Sequence, residues 1–348
     1  MGILRGMRVL TAPNSFQILS PSGSLLQESE VDIPIPGPGE VLLRVHAAGV
    51  NRADLLQSQG HYPPPPGSSD IPGLEVAGTV EATGEGVGSI SHDTRVMALV
   101  TAGGYGEFVL ADARSLIIVP DQIDAIAAAA FMEAACTVWS NIVNVAHFTP
   151  GDVVVIHGGS GGVGSLAVQI VTALGGTAIA TARTPERAQR CLDLGAAHAF
   201  AYGQYTDSEG ASTFADALPG LVREVTGGHG ADIVLDVTGA SLLGANIDSL
   251  AVGGRLVIIG MQKGATGTVK LSTLLTKRAS LHGTTLRSRP AEERATIVDG
   301  VRRDLMPLFA AGTIAPVAHQ VWDMQEAARA HEQLLGGDVF GKLVLRPW

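Results

Sequence analysis

Three glycines, Gly159, Gly161 and Gly164, stand in G-x-G-x-x-G spacing after an apolar run at 153–156 and before an apolar helical stretch at 166–174, with a second apolar run at 177–182. The spacing has a mechanical reason. The first glycine permits a tight turn, the second lets backbone approach a pyrophosphate, and the third lets helix and strand pack closely. Helix N-terminal N–H groups then face the phosphates, and Ser160, Gly162 and Val163 belong to the same expected cradle.

The residue closing the second strand selects the dinucleotide. Asp or Glu at that place accepts from a ribose 2′-hydroxyl. This chain has Arg183, which accepts nothing but can pair in a bidentate manner with a 2′-phosphate. Thr184 reads as a helix N-cap with Pro185 at the first helical position, so free N–H groups are expected at the same spot, with Arg187 one turn on. NADPH is the cofactor these residues predict; the plainer alternative makes the arginines a solvated helix face.

The elements that must position these residues change character along the chain. The first part is β-rich, with strands expected at 41–46, 75–82 and 94–100 and a stiff polyproline loop at 61–67. An alanine-rich helix at 123–145 leads into strand–helix alternation, with further strands at 233–237, 255–260 and 280–286 and a last one at 342–345. Residues 205–217 read as a polar, mobile loop. The fold class is α/β: a doubly wound domain inserted in a β-rich one. Residues 280–286 are expected to form an edge strand that pairs with its mate in a homodimer.

A chain of 348 residues suits two domains, and 46% hydrophobic with 16% charged residues describes a soluble globular protein. A formal net charge of −10 without any basic run argues against nucleic acid or an anionic membrane as partner. Cys136 and Cys191 are the only cysteines, so no disulfide framework is expected and a reducing cytoplasm is. Residues 153–182 contain no Asp, Glu, Lys or Arg and would pass a hydropathy test for a membrane span. The loop glycines, His157 and Gln169 favour a buried strand, helix and strand instead.

Residues 48–56 (Ala-Gly-Val-Asn-Arg-Ala-Asp-Leu-Leu), 60–65 (Gly-His-Tyr-Pro-Pro-Pro), 72–78 (Pro-Gly-Leu-Glu-Val-Ala-Gly) and 157–164 follow one another in an order that resembles the medium-chain dehydrogenase/reductase superfamily, and within it the zinc-free quinone oxidoreductases. Thr284-Thr285-Leu286-Arg287-Ser288-Arg289 further resembles the branch of quinone oxidoreductases induced by a tumour suppressor in animals. The resemblance covers nearly the whole length. It implies a GroES-like β-rich catalytic domain at 1–127 and 287–348 and a Rossmann domain at 128–286. In zinc-dependent relatives a Cys stands at the place of Asn51 and a His at that of Leu74, and a cysteine-rich lobe follows where 84–110 has no cysteine. The ten histidines are scattered without a ligand pattern, so no metal is expected.

Without a Lewis acid, alcohol oxidation lacks its means of stabilising an alkoxide, whereas a quinone accepts a hydride into a delocalised oxyanion. The expected chemistry is therefore NADPH-dependent reduction of a quinone by direct hydride transfer. Tyr62 is a candidate to orient or protonate a carbonyl oxygen, or else packs on the prolines. Asn51 is a candidate amide donor, or else a turn residue, and Asp54 a brace for this loop. The resemblance also implies Thr137 on the nicotinamide side, Tyr202 near the adenosine phosphate, and Thr238 closing the fourth strand. It implies Ile259, Gly260 and Met261 at the end of the fifth strand, with Thr285 and Leu286 beside the nicotinamide. Arg183 departs from the small residue usual in the family. An enone or enoyl reductase, and a catalytically quiet NADPH-binding protein with a sensing or structural role, are the rival readings.

Overall fold

The structure is a computed structural model that describes residues 6–11, 26–207, 209–211 and 213–348. The chain divides into two compact units, one of Met1–Cys136, Leu286–Ala310 and Ala315–Trp348, the other of Thr137–Thr285 and Ala311–Ile314.

The first unit is organised by one long strand, Glu40–Val50, launched from the Pro36–Gly39 turn, where Gly39 takes φ +76°. Its Val and Leu side chains suit a pleated, half-buried surface. Glu75–Thr83, Phe108–Asp112 and Lys342–Arg346 all pair with it antiparallel. The seven-stranded sheet is completed by Ala318–Asp323 beyond Lys342–Arg346, and by Arg95–Leu99 and Leu116–Ile118 beyond Glu75–Thr83. Val41, Leu43, Val76, Val96, Tyr105 and Leu343 lie in its core. Burying each such Val or Leu stabilises by about 1.5–3 kcal/mol. A separate antiparallel ribbon joins Gly6–Thr11 to Gln27–Asp32.

The second unit holds a six-stranded sheet whose pairings are all parallel. In spatial order the strands are His198–Ala201, Thr177–Ala182, Val153–Ile156, Ala231–Asp236, Leu250–Ile258 and Ser280–Gly283. The chain starts at Val153–Ile156, builds outward to one side, then returns to build outward on the other. The strand order therefore reverses between Val153–Ile156 and Ala231–Asp236, the place where open parallel sheets bind ligands. Helices such as Gly162–Ala173 and Phe214–Val225 flank the sheet, and Val155, Ile179, Leu218, Val234 and Leu256 share its core. The charge-free span at 153–182 is thus a strand, a helix and a strand. Ala125–Val145 is long and apolar enough to cross a bilayer, but 78% of its apolar stretch is buried inside the protein.

Several expected elements shift. The last parallel strand ends at Gly283 rather than at 286. The alanine-rich helix is α-helical over Ala125–Val138 and continues as a wider π-turn over Trp139–Val145, where Ala146 N donates to Asn141 O (3.0 Å). Residues 214–217, expected in a polar loop, open an amphipathic helix that buries Phe214 and Leu218; Ser208 and Ser212 of that loop lie outside the described residues. Phe108–Asp112, Leu116–Ile118, His198–Ala201 and Ala318–Asp323 had no sequence expectation, being short strands stabilised by their neighbours.

Candidate functional site

In the second unit, parallel register brings the carboxyl ends of six strands to one edge. Gly159–Gly164, Arg183, Tyr202, Thr238, Ile259–Met261 and Thr285 all follow those ends, so the structure gathers residues spread over more than a third of the chain. The helix that begins at Gly162 has Gly161 as its N-cap and no capping side chain. Helix geometry leaves the N–H groups of Gly162, Val163 and Gly164 without intrahelical acceptors. A Cβ at Gly164 would lie 2.1 Å from Gly158 O, so only glycine allows this approach of helix to loop. The turn itself is made one residue earlier than expected. Gly158, not Gly159, takes the left-handed conformation (φ +67°), while Gly159 packs against Ala180 and Cys191 and donates to Thr181 O (2.9 Å). Ser160 is buried in the loop.

His157 fastens the loop from below. Burial pushes its pKa down, so the ring is neutral. Nε2 donates to Asn246 Oδ1 (2.7 Å) and Nδ1 accepts from the Thr181 hydroxyl (3.0 Å), linking the first strand, the second strand and the helix Leu243–Ser249. Asp236, fully buried at its strand end, accepts from Thr238 N (2.7 Å) and Gly239 N (3.0 Å). Thr238 therefore lies two residues past the fourth strand instead of closing it, and Ile259 follows the end of the fifth and donates to Asp236 O (2.8 Å).

Arg183 is exposed and follows Thr177–Ala182, and its carbonyl accepts from Gly203 N (3.0 Å) beside Tyr202. Thr184 caps the next helix through Arg187 N (3.4 Å), with Pro185 at its start. Glu186 bonds back to its own amide and to the Thr184 hydroxyl, and these contacts hold its carboxyl below the usual range. The free N–H groups expected there are thus partly engaged, whereas the Arg183 side chain is exposed. Thr137 is buried and its carbonyl accepts from Asn141 Nδ2 (2.7 Å); Asn141 Oδ1 in turn accepts from the Thr284 hydroxyl. Thr285 and Leu286 fall on opposite sides of the division between the units.

In the first unit Asn51 sits at the N-terminus of the helix Arg52–Ser58, and it is far from an idle turn residue. Its Nδ2 donates to Glu75 Oε1 (2.9 Å) and its Oδ1 accepts from Lys342 Nζ (2.6 Å). Lys342 Nζ also lies 2.7 Å from Glu75 Oε1 and 3.5 Å from Glu133 Oε2, while Glu133 N donates to Glu75 Oε2 (2.7 Å). Burial opposes the ammonium, but Glu75 and Glu133 hold its pKa above the ordinary range. One amide proton of Asn51 is left for an outside acceptor.

Asp54 braces the same loop. Its carboxylate accepts from Asn51 N (2.8 Å), Gly73 N (3.0 Å) and the Tyr105 hydroxyl (3.3 Å), and burial, opposed by the two backbone donors, pushes its pKa up to about 7. Tyr105 also meets His331 Nε2 (3.1 Å), a ring that burial pushes down to about 4 and so keeps neutral. Tyr62 follows the other end of the helix Arg52–Ser58, half-buried; burial raises the pKa of its phenol, with Arg287 opposing, so it stays a donor at neutral pH. Asn51 and Tyr62 thus flank a seven-residue helix, roughly 10 Å of rise.

Sequence reasoning overlooked Glu75, Glu133, Lys342 and Arg287. A lysine opening the apolar run 342–345 was the available signal, since charge in a buried strand needs a partner. Among the described residues no three His, Cys, Asp or Glu side chains group as a metal would require.

Residues 37–121 match the family model described as alcohol dehydrogenase GroES-like domain, and residues 162–300 that described as zinc-binding dehydrogenase. The chain is 31% identical over 346 residues to quinone oxidoreductase of Sus scrofa, covering 98% of each. A mycobacterial protein solved in complex with NADPH superposes with a TM-score of 0.84 at 30% identity, over 98% of this chain and 100% of that one. Quinone oxidoreductase of Pseudomonas syringae pv. Tomato DC3000 does so with 0.83 at 27% identity and the same coverage. The two units are accordingly a GroES-like domain and a Rossmann-like parallel sheet.

Three changes test this geometry. Gly164→Ala is expected to cost about 1–3 kcal/mol in urea unfolding because its methyl meets backbone. Gly161→Ala, whose nearest neighbour would be Gly158 O at 3.4 Å, should unfold like the parent yet bind a dinucleotide more weakly by fluorescence titration. Lys342→Met strands the buried Glu75 carboxylate and removes a partner of half-buried Glu133, and is expected to lose about 3–5 kcal/mol; adding Glu75→Gln should restore part of that loss in the same measurement.

Proposed function

From a chain that belongs to the medium-chain dehydrogenase/reductase superfamily, among its quinone oxidoreductase-like members, we propose an NADPH-dependent quinone oxidoreductase that works without metal. One observation carries the reading: an uncapped helix N-terminus at the strand-order reversal, with an exposed arginine closing the neighbouring strand. The Gly158–Gly164 cradle, where a Cβ at Gly164 would collide with backbone, fits a pyrophosphate. NADPH bound there supplies a hydride to the acceptor.

The chain's own residues bind and orient. Amides of Gly162, Val163 and Gly164 meet the pyrophosphate, and Arg183 pairs with the 2′-phosphate, with Arg187 on the following turn. Tyr202, Thr238, Ile259, Gly260, Met261, Thr285, Leu286 and Thr137 line the remaining path of the dinucleotide. Tyr62 and the free amide proton of Asn51 donate to the oxygen that gains charge as the hydride arrives. Because Lys342 and Glu75 fix both ends of the Asn51 amide, that donor needs no reorganisation. The run Thr284–Arg289 supports a place beside the tumour-suppressor-inducible branch, and the absence of cysteine pairing a cytoplasmic setting.

The protein is further read as a homodimer joined through Ser280–Gly283, the edge strand of the parallel sheet. Leu271 and Leu275 on the preceding helix are 68% and 78% exposed, apolar area that a second copy would cover.

A panel of 1,4-naphthoquinone, 9,10-phenanthrenequinone and a simple alkenal, run with NADPH and with NADH, tests the function. Fast turnover of the quinones with NADPH is expected. Preference for the alkenal would make the enzyme an enone reductase, and tight NADPH binding with no turnover a quiet binding protein. Arg183→Glu is expected to lower the NADPH/NADH ratio of kcat/KM by tenfold or more, roughly one lost charge-assisted pair; an unmoved ratio would remove the phosphate assignment. Solution scattering at micromolar concentration should give a dimer mass for the parent and a monomer mass for Leu275→Lys.

A further inference from the structure

The proposed reaction gives Arg287 no role, yet it is the one buried arginine among the described residues, only 5% exposed. Its donors go to three separate segments of the first unit. Nε donates to Thr101 O (2.7 Å), Nη2 to Gln57 Oε1 (2.7 Å) and Nη1, more weakly, to Tyr62 O (3.4 Å). The guanidinium carbon also stands 5.5 Å from the centre of the Tyr62 ring. Gln57, itself 5% exposed, passes the constraint on, because its Nε2 donates to Asp70 O (2.9 Å). The loop carrying Tyr62 is thus held at its near end by Arg287 directly and at its far end through Gln57. Thr101 completes the arrangement, its hydroxyl accepting from Ser68 Oγ (3.4 Å) in the same loop.

A lysine could not do this. Only a planar fork with several donors reaches two carbonyls and an amide oxygen at once while presenting a flat cation to an aromatic ring. The proline run stiffens the middle of the loop but offers no N–H by which to anchor it, so anchoring falls to its ends.

We infer that Arg287 is the positioning residue of the Tyr62 loop, locking Tyr62, the end of the helix Arg52–Ser58 and the Thr101 turn into one wall that receives the acceptor carbonyl. Its bearing on catalysis rests on the proposed quinone reduction, whereas the lock itself does not.

The test uses Arg287→Gln and Arg287→Lys, each alone and combined with Tyr62→Phe, in the full-length protein. NADPH-dependent reduction of 9,10-phenanthrenequinone is measured for each, and hydrogen exchange is followed by mass spectrometry over residues 60–71 without substrate. Both Arg287 variants are expected to lose roughly tenfold to a hundredfold in kcat/KM for the quinone, with KM for NADPH unmoved. That loss should largely vanish in the Tyr62→Phe background, as coupled residues require. Exchange across 60–71 should quicken in both, with no rescue by lysine. Unchanged exchange, or losses that simply add to that of Tyr62→Phe, overturns the inference. If no protein in the series turns over any quinone, exchange alone decides: faster exchange upholds the lock while the proposed function falls.

Discussion

The ammonium of Lys342 is where the GroES-like unit closes on itself. An ammonium has three protons to donate, and this one has three acceptors around it: Asn51 Oδ1, Glu75 Oε1 and Glu133 Oε2. Those residues come from the end of the strand Glu40–Val50, the strand Glu75–Thr83 and the helix Ala125–Val138, while Lys342 itself opens the last strand. A buried ion pair is weak evidence of net stabilisation, because desolvation offsets much of the attraction. Its value here is geometric. With lysine on the oxygen and glutamate on the nitrogen, the Asn51 amide has one orientation, and the loop it begins is further held by Asp54.

The Rossmann-like unit solves a different problem by a different means. Its candidate residues are held by strand register, and every strand runs the same way, so their carboxyl ends share an edge. Local fittings then refine the edge. Neutral His157 ties the glycine loop to the second strand, and Asp236 folds the backbone after the fourth strand back on itself. Both are buried polar groups that find hydrogen-bond partners, as a dry interior demands.

These two arrangements carry unlike kinds of specificity. In the proposed reaction, phosphate recognition would rely on an exposed guanidinium and on backbone N–H groups, whose strength depends on salt and on the ligand's charge. Orientation of the acceptor would rely on side chains held by buried partners: Asn51 in the lysine network, and half-buried Tyr62 beside Arg287 and Gln57. A surface arginine is exchanged at small structural cost, while any member of the buried networks takes its partners with it.

The sequence by itself determined whatever local chemistry determines. Glycine spacing between an apolar strand and an apolar helix marked the glycine loop, and Thr184-Pro185 marked a helix start, because both depend on residues adjacent in the chain. The strand Thr177–Ala182 had its full extent in the pattern for the same reason. Only the tertiary structure decided that Gly158 makes the turn, that Glu186 engages the helix start near Arg183, and that Lys342 meets Asn51 across 291 positions. It also decided that Arg287 reaches Gln57 and Thr101. Hydrogen bonds between distant side chains leave no periodicity behind, since a buried charge names the need for a partner but not which strand or loop will provide it.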